Sequence, residues 1–308
     1  MNEKASFRDG VQYAWDGTSL DLAQTCARKY YYSMIRGIRP KEKSIHLIFG
    51  GFYATALEHF YKYRAEGQSI DDALRVVVRE ALVSSWDQKA GHAMIFDDAA
   101  KTRVTLIRTI VWYVEQFAVE AEDGLQTYHL QNGEPAVELS FALDFSPSIV
   151  YCGHLDRVVT MAEHLYITDQ KTTGLTVGSY YFSMFSPNNQ MSGYSFVGQA
   201  ILHSPIRGVI IDAAQIAVNF TRFARGITTR TKDQLEEWFN GTVYFISQFQ
   251  ELSAYAKAEE QKWPMNPNSC GYYTGCEFRL LCQKSPKVRE NYIASDYVEH
   301  IWDPIKRR

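Results

Sequence analysis

Between Gly153 and Gly174 the chain reads GHLDRVVTMAEHLYITDQKTTG: two apolar, strand-like runs, each carrying one aspartate into what should be a buried sheet. A buried carboxylate is costly, and two that face each other are worse. Any fold for this chain must therefore supply something that holds Asp156 and Asp169 in place. If Met161 to His164 form the turn of an antiparallel pair, Asp156 falls directly opposite Asp169, with Cβ atoms about 4.5–5.5 Å apart. Lys171, two residues further on, points to the same face. A one-residue slip of register would undo the arrangement.

Two ionised carboxylates this close repel unless a cation lies between them. Oxygen ligands of this kind suit a hard ion such as Mg²⁺ or Mn²⁺. Such an ion polarises a phosphoryl oxygen and lowers the pKa of bound water. Lys171 could orient or deprotonate that water, or neutralise charge in the transition state. The plain alternative is a structural Asp–Lys pair at a hairpin end, of a kind common on protein surfaces.

Around this centre the hydrophobic period changes twice. GGFYATALEHFYKYRAEG and SIDDALRVVVREALVSSW read as helices, the second opening on a capping box of Ser69 and Asp72. The stretch from His92 to Asp123 has no Gly or Pro and predicts one long amphipathic helix. AVELSFALDF, SIVYCGHLDRVVTM and HLYITDQKT then read as strands, followed by a helix with Ser186 as N-cap and Pro187 in its first turn. VIIDAAQIAVNF reads as a buried strand, and KDQLEEWFNGTVYFISQFQELSAYAKAEEQ as a further helix. This order predicts a single α/β or α+β domain over 1–308. Within it lie a helical elaboration at 48–125, a sheet and helix carrying the chemistry at 135–220, and a C-terminal region at 263–308.

A hydrophobic content of 46% and a charged content of 22% are ordinary for a soluble chain. No stretch approaches the roughly 20 apolar residues of a membrane span. The N-terminus lacks the apolar core of a secretion signal, so a cytoplasmic location is expected. The net charge of −3 does not advertise a nucleic-acid binder. Its distribution says more: Arg28, Lys29, Arg36, Arg39, Lys41 and Lys43 form one basic run, and Arg222, Arg225, Arg230 and Lys232 a second. Either could track a phosphate backbone or be a solvated face.

Of the five cysteines, Cys270, Cys276 and Cys282 cluster in a Pro-, Asn- and Gly-rich stretch. In a cytosolic chain that clustering favours a metal over disulfides. A [4Fe–4S] cluster or a tetrahedral zinc site needs a fourth thiolate, for which Cys26 is the candidate. The bland reading is a set of free thiols. Cys152, inside a strand, reads as a core residue.

Gly153-His154-Leu155-Asp156-Arg157 followed by Asp169-Gln170-Lys171 resembles the active-site hairpin of the PD-(D/E)XK nuclease superfamily. The RecB-like exonuclease branch, which includes the AddB and CRISPR-associated iron–sulfur exonucleases, is the nearer likeness. Gln190-Met-Ser-Gly-Tyr194 resembles that branch's Q-x-x-x-Y motif, whose two ends share a helix face. The first-helix motif G-x-x-x-H-x-x-L-E appears at 50–58 as GGFYATALE, with Ala54 where the histidine would stand. Glu58 shares a helix face with position 54 and could reach the metal instead, while His59 is turned about 100° away. Glu138 matches a first-strand glutamate and is expected to be structural. Cys26 before an R-K-Y-Y run, with Cys270, Cys276 and Cys282, resembles the branch's [4Fe–4S] ligand set.

The resemblance implies a restriction-endonuclease-like α/β fold, a central mixed sheet flanked by helices, with an N-terminal helical elaboration and a C-terminal cysteine-rich loop. It implies a Mg²⁺- or Mn²⁺-dependent deoxyribonuclease acting on DNA, single-stranded or at a duplex end, and an exonuclease rather than an endonuclease. Asp156, Asp169, the Gln170 carbonyl and Glu58 would hold the ion. Lys171 would serve the attacking water, Gln190 and Tyr194 would position the strand, and the Arg28–Lys43 run would track DNA. The competing readings are a catalytically inactive iron–sulfur DNA-binding module of the same fold, and a zinc-stabilised protein of other function. Phage recombination and CRISPR adaptation are the settings analogy suggests.

Overall fold

The computed structural model describes residues 5–42, 44–95, 98–117, 124–271 and 275–306. In chain order its main elements are β1 (Ala14–Trp15), α1 (Gly17–Thr25), α2 (Ala27–Tyr30), α3 (Ile45–Ala65), α4 (Ile70–Ser84) and α5 (Arg103–Phe117). There follow β2 (Gln126–Thr127), β3 (Val137–Ser146), β4 (Ile149–Met161), β5 (His164–Thr173) and α6 (Asn189–Leu202). The last are β6 (Ile206–Ile216), β7 (Thr221–Thr228), α7 (Lys232–Ala256), α8 (Arg279–Gln283) and α9 (Arg289–Asp296). The residues fall into two compact units, one of 1–43, 140–153 and 236–308, the other of 44–139 and 154–235.

The second unit carries a mixed sheet in the order β7-β6-β5-β4. β6 runs parallel to β5 and antiparallel to β7, while β5 pairs antiparallel with β4 and β2 lies antiparallel on β4. The β4–β5 turn is the tight one read from the sequence: Met161 pairs with His164, and the register runs through to Arg157 opposite Thr168. Ala162 and Glu163, its two central residues, have φ of 47° and 63°, the left-handed pair that a two-residue hairpin turn demands. That turn fixes which side chains share a face.

Each face has its own cover. On one, Phe49, Tyr53, Leu57 and Phe60 of α3 pack with Val77 of α4, Leu106, Ile110 and Tyr113 of α5, and Ala214 and Ile216 of β6. Burying each of these large side chains stabilises by about 1.5–3 kcal/mol. On the other, α6 lies so close that a Cβ at Gly198 would stand 2.7 Å from Ile167 Cδ1 and 3.0 Å from Ile206 Cγ1. Glycine lets the helix settle there.

Local signals held with two differences. The Ser69 hydroxyl accepts from Asp72 N–H at 3.1 Å, and donates to the Asp72 carboxylate at 2.7 Å, at the start of α4. The helix expected over 92–123 begins only at Arg103, because His92 and Ala93 pair as a strand with Trp86 and Asp87; residues 118–123 lie outside the described residues. The N-cap of α6 is Asn188, which accepts from Met191 N–H at 3.1 Å, rather than Ser186. An Asx side chain two positions later outcompetes the serine.

In the first unit the aromatic residues that follow Cys26 meet the C-terminal stretch. Tyr30 stacks on Trp15 and on Trp263, each with ring centroids 5.7 Å apart, and meets Phe249 edge-on at 4.7 Å. Cys152 is buried as a core residue, its thiol donating to the Trp15 carbonyl at 3.5 Å. No helix among the described residues is long and apolar enough to cross a membrane.

Candidate functional site

Five sequence-selected side chains come together in the second unit. Asp156 from β4 accepts the Gln170 backbone N–H at 2.9 Å, one residue beyond the last pair of the hairpin ladder. Asp169 and Lys171 sit two apart on β5, so they share a face. Lys171 Nζ lies 2.8 Å from Asp169 Oδ1 and 2.6 Å from Oδ2. The same ammonium donates to Gln190 Oε1 at 3.2 Å, and Gln190 Nε2 donates to the Tyr194 hydroxyl at 2.9 Å. Asn188, capping α6, fixes the turn from which Gln190 projects.

The charges are unbalanced. Asp169 is 1% exposed, and burial raises its pKa against the opposing pull of Lys171. Asp156 is pushed up to about 7, first by burial and then by the charge of Asp169, with Lys171 and the Gln170 N–H acting the other way. Burial alone would lower the Lys171 pKa, but the two aspartates outweigh it and raise it. The centre is therefore an ammonium paired with Asp169 beside Asp156, and once both aspartates are ionised it carries negative charge in excess.

Two further acids bear on the centre, Glu58 and Glu138. Glu58 carries Lys62 at 2.6 Å on its own helix, an i,i+4 pair. It belongs to α3, whose stripe packs toward Ala214 and Ile216 of β6, while Gly50 approaches Thr172 of β5. Glu138 in β3 acts on Asp156 alongside Asp169, and its charge further raises the Asp156 pKa. Glu138 holds a φ of 50°, a conformation that costs a non-glycine residue roughly 1–2 kcal/mol. The family-like strand position was visible in the sequence, whereas the long-range packing that brings its charge near Asp156 was not. Among the described residues no three or more His, Cys, Asp or Glu side chains stand together as a ready set of metal ligands.

The cysteines lie in the first unit, all unpaired as disulfides. Cys26 Sγ accepts Asn266 N–H at 3.3 Å, and the Cys270 thiol faces the Asn266 carbonyl at 3.8 Å. Cys282 is pushed up to about 11, mainly by burial, with Arg28 and Arg289 opposing and Cys276 and Cys26 adding to the rise. The thiols thus share one region, but as placed they do not form a ligand set for a cluster or for zinc.

The basic run lies in the first unit, where several of its members have partners within the protein. Arg28 is 6% exposed, donating to Glu260 at 2.9 Å and to the Trp263 carbonyl at 2.8 Å. Lys29 lies 3.7 Å from Glu277, and Arg36 grips Glu290 with two hydrogen bonds of 2.7 and 3.0 Å. Lys41 donates to the Ser295 carbonyl, Arg39 sits in a strand paired to Val298, and Lys43 lies outside the described residues. Acids distant in sequence pair with Arg28, Lys29 and Arg36, and these contacts tie the two ends of the unit together. In the second basic group, Arg225 binds Asp212 at 3.2 Å and Arg230 holds the Phe185 carbonyl at 2.8 Å.

A family model described as the PD-(D/E)XK nuclease superfamily matches residues 17–283. Among solved structures the chain is similar to a protein from Eubacterium rectale called "Putative exonuclease", with 11% identity, a TM-score of 0.47, and coverage of 77% of this chain and 80% of that one. No curated protein matches the sequence.

Proposed function

The chain belongs to the PD-(D/E)XK nuclease superfamily, and from that premise we propose that it hydrolyses phosphodiester bonds of DNA, with Asp156, Asp169 and Lys171 at the reacting centre. The observation that carries this reading is the contact of one ammonium with Asp169 and Gln190 beside the enclosed carboxylate of Asp156. The excess negative charge fits a divalent cation. Asp156 and Asp169 would hold it with the Gln170 carbonyl, water and Glu58, and Glu138 joins Glu58 as an acid to test. Bound there, Mg²⁺ or Mn²⁺ supplies charge for a phosphoryl oxygen and acidifies a water.

The chain's own groups do the rest. In the reaction a bond forms between the water oxygen and phosphorus and one ester P–O bond breaks; the water's proton passes to solvent and the departing oxygen takes one from solvent, leaving a phosphate monoester and an alcohol. Lys171 donates toward the phosphoryl oxygens, where negative charge accumulates. Gln190 restrains the lysine, and Tyr194 restrains Gln190 in turn. Gln190→Ala is expected to lower kcat about tenfold, the worth of one hydrogen bond to a charged group, with folding unchanged. Steady-state cleavage of labelled DNA measures it.

The test of the reading is digestion of end-labelled single- and double-stranded DNA with Mn²⁺. Stepwise loss from the ends supports the exonuclease mode. Internal cuts select the endonuclease, and intact binding without cleavage selects the inactive module. The finer assignment to the iron–sulfur branch rests on motif order and on Cys26 and Cys270 both meeting Asn266. A cluster requires these thiols to draw together from where they stand, so no step is assigned to it. Iron and zinc content of the purified protein separates the two occupants.

A further inference from the structure

Arg157 follows Asp156 directly, so its side chain leaves β4 on the other face of the sheet. It is 2% exposed, and its guanidinium carbon lies 3.4 Å from the centroid of the Tyr61 ring. Nε and Nη2 are buried and meet no acceptor. The residue lines a cavity of ≈ 400 Å³, within the usual range of ligand pockets, whose walls include Phe60, Tyr61, Phe117 and His129. An arginine buried without hydrogen-bond partners is costly unless an anion or water completes it.

Nearby charges point to the anion. The Tyr61 hydroxyl bonds that of Tyr113 at 2.9 Å, and Tyr113 donates to Asp212 Oδ2 at 2.6 Å. Arg225 already pairs with the same oxygen at 3.2 Å and lies 3.7 Å from the Phe117 ring centroid. Arg157, Arg225 and Asp212 all act on the Tyr61 hydroxyl. Arg225 thus takes the Asp212 carboxylate, while Arg157 stacks on Tyr61 with no carboxylate of its own, beside a cavity walled by flat rings.

We propose that this cavity binds a phosphate monoester carried on an aromatic ring system, a nucleoside monophosphate, with Arg157 as the phosphate partner and Phe60 and Phe117 flanking the base. The pairing uses a planar donor fork for the anion and aromatic faces for the ring. It stands apart from the reacting centre, and its test is independent of cleavage.

Calorimetry in EDTA with deoxyadenosine monophosphate, inorganic phosphate and deoxyadenosine reads it out. The monophosphate is expected to bind, phosphate to bind at least tenfold more weakly, and the nucleoside not at all. Arg157→Met should cut monophosphate affinity at least tenfold, and Ala65→Trp, which fills the cavity from α3 and keeps the guanidinium, should do the same. Asp169→Asn should leave it unchanged, which separates this cavity from the reacting centre. Phosphate binding equal to the monophosphate reduces the site to a simple anion hole and overturns the base-flanking assignment. Absence of monophosphate binding to the wild type, or equal binding by the wild type and both cavity variants, overturns the proposal.

Discussion

Lys171→Met is expected to lower Mn²⁺-dependent cleavage of DNA at least about a hundredfold, almost entirely in kcat. The substitution keeps an unbranched side chain one atom shorter and removes the group that touches both Asp169 and Gln190. Loss of a single preorganised donor to a developing oxyanion costs about 10²–10³ in rate. Substrate affinity depends on contacts along the strand and should change little, so KM serves as the control. A thermal melt guards against a folding defect, because Asp169 loses its ion pair with Lys171. Full activity in a folded Lys171→Met protein would mean that the lysine is merely structural.

Asp156→Asn should show opposite effects on stability and activity. The folded protein holds the Asp156 proton to about pH 7, whereas an unfolded chain releases it near 3.9. Between those values the folded state binds the proton more tightly, so this group's contribution makes the metal-free protein less stable as pH rises through the window. Above about pH 7 the loss is complete. An asparagine carries no such penalty and can still accept the Gln170 N–H. Melts in EDTA should place the variant at least about 2 °C above wild type at pH 8, the difference shrinking toward pH 4. Cleavage should fall with it. A variant less stable than wild type at pH 8 would show that the pKa is not raised by burial and Asp169.

The centre was legible because local rules specify it. Turn length set the hairpin register, register set the faces, and the i,i+4 spacing of Gln190 and Tyr194 set their contact. What the sequence hid depended on partners remote in the chain. Arg28 looks like a solvated cation until Glu260 arrives to meet it. Glu138 and Arg157 are the reverse case. Arg157 is an ordinary strand residue by pattern and Glu138 a family-like strand acid, and only tertiary packing reveals one as a guanidinium whose Nε and Nη2 are buried without acceptors and the other as a carboxylate acting on Asp156.

The most direct test of the central claim is a Mn²⁺ titration of the purified protein, followed by calorimetry, beside the Asp156→Asn/Asp169→Asn double variant. The account predicts saturable binding to the wild type that weakens at least tenfold in the double variant. Equal Mn²⁺ affinity in the two proteins would contradict it.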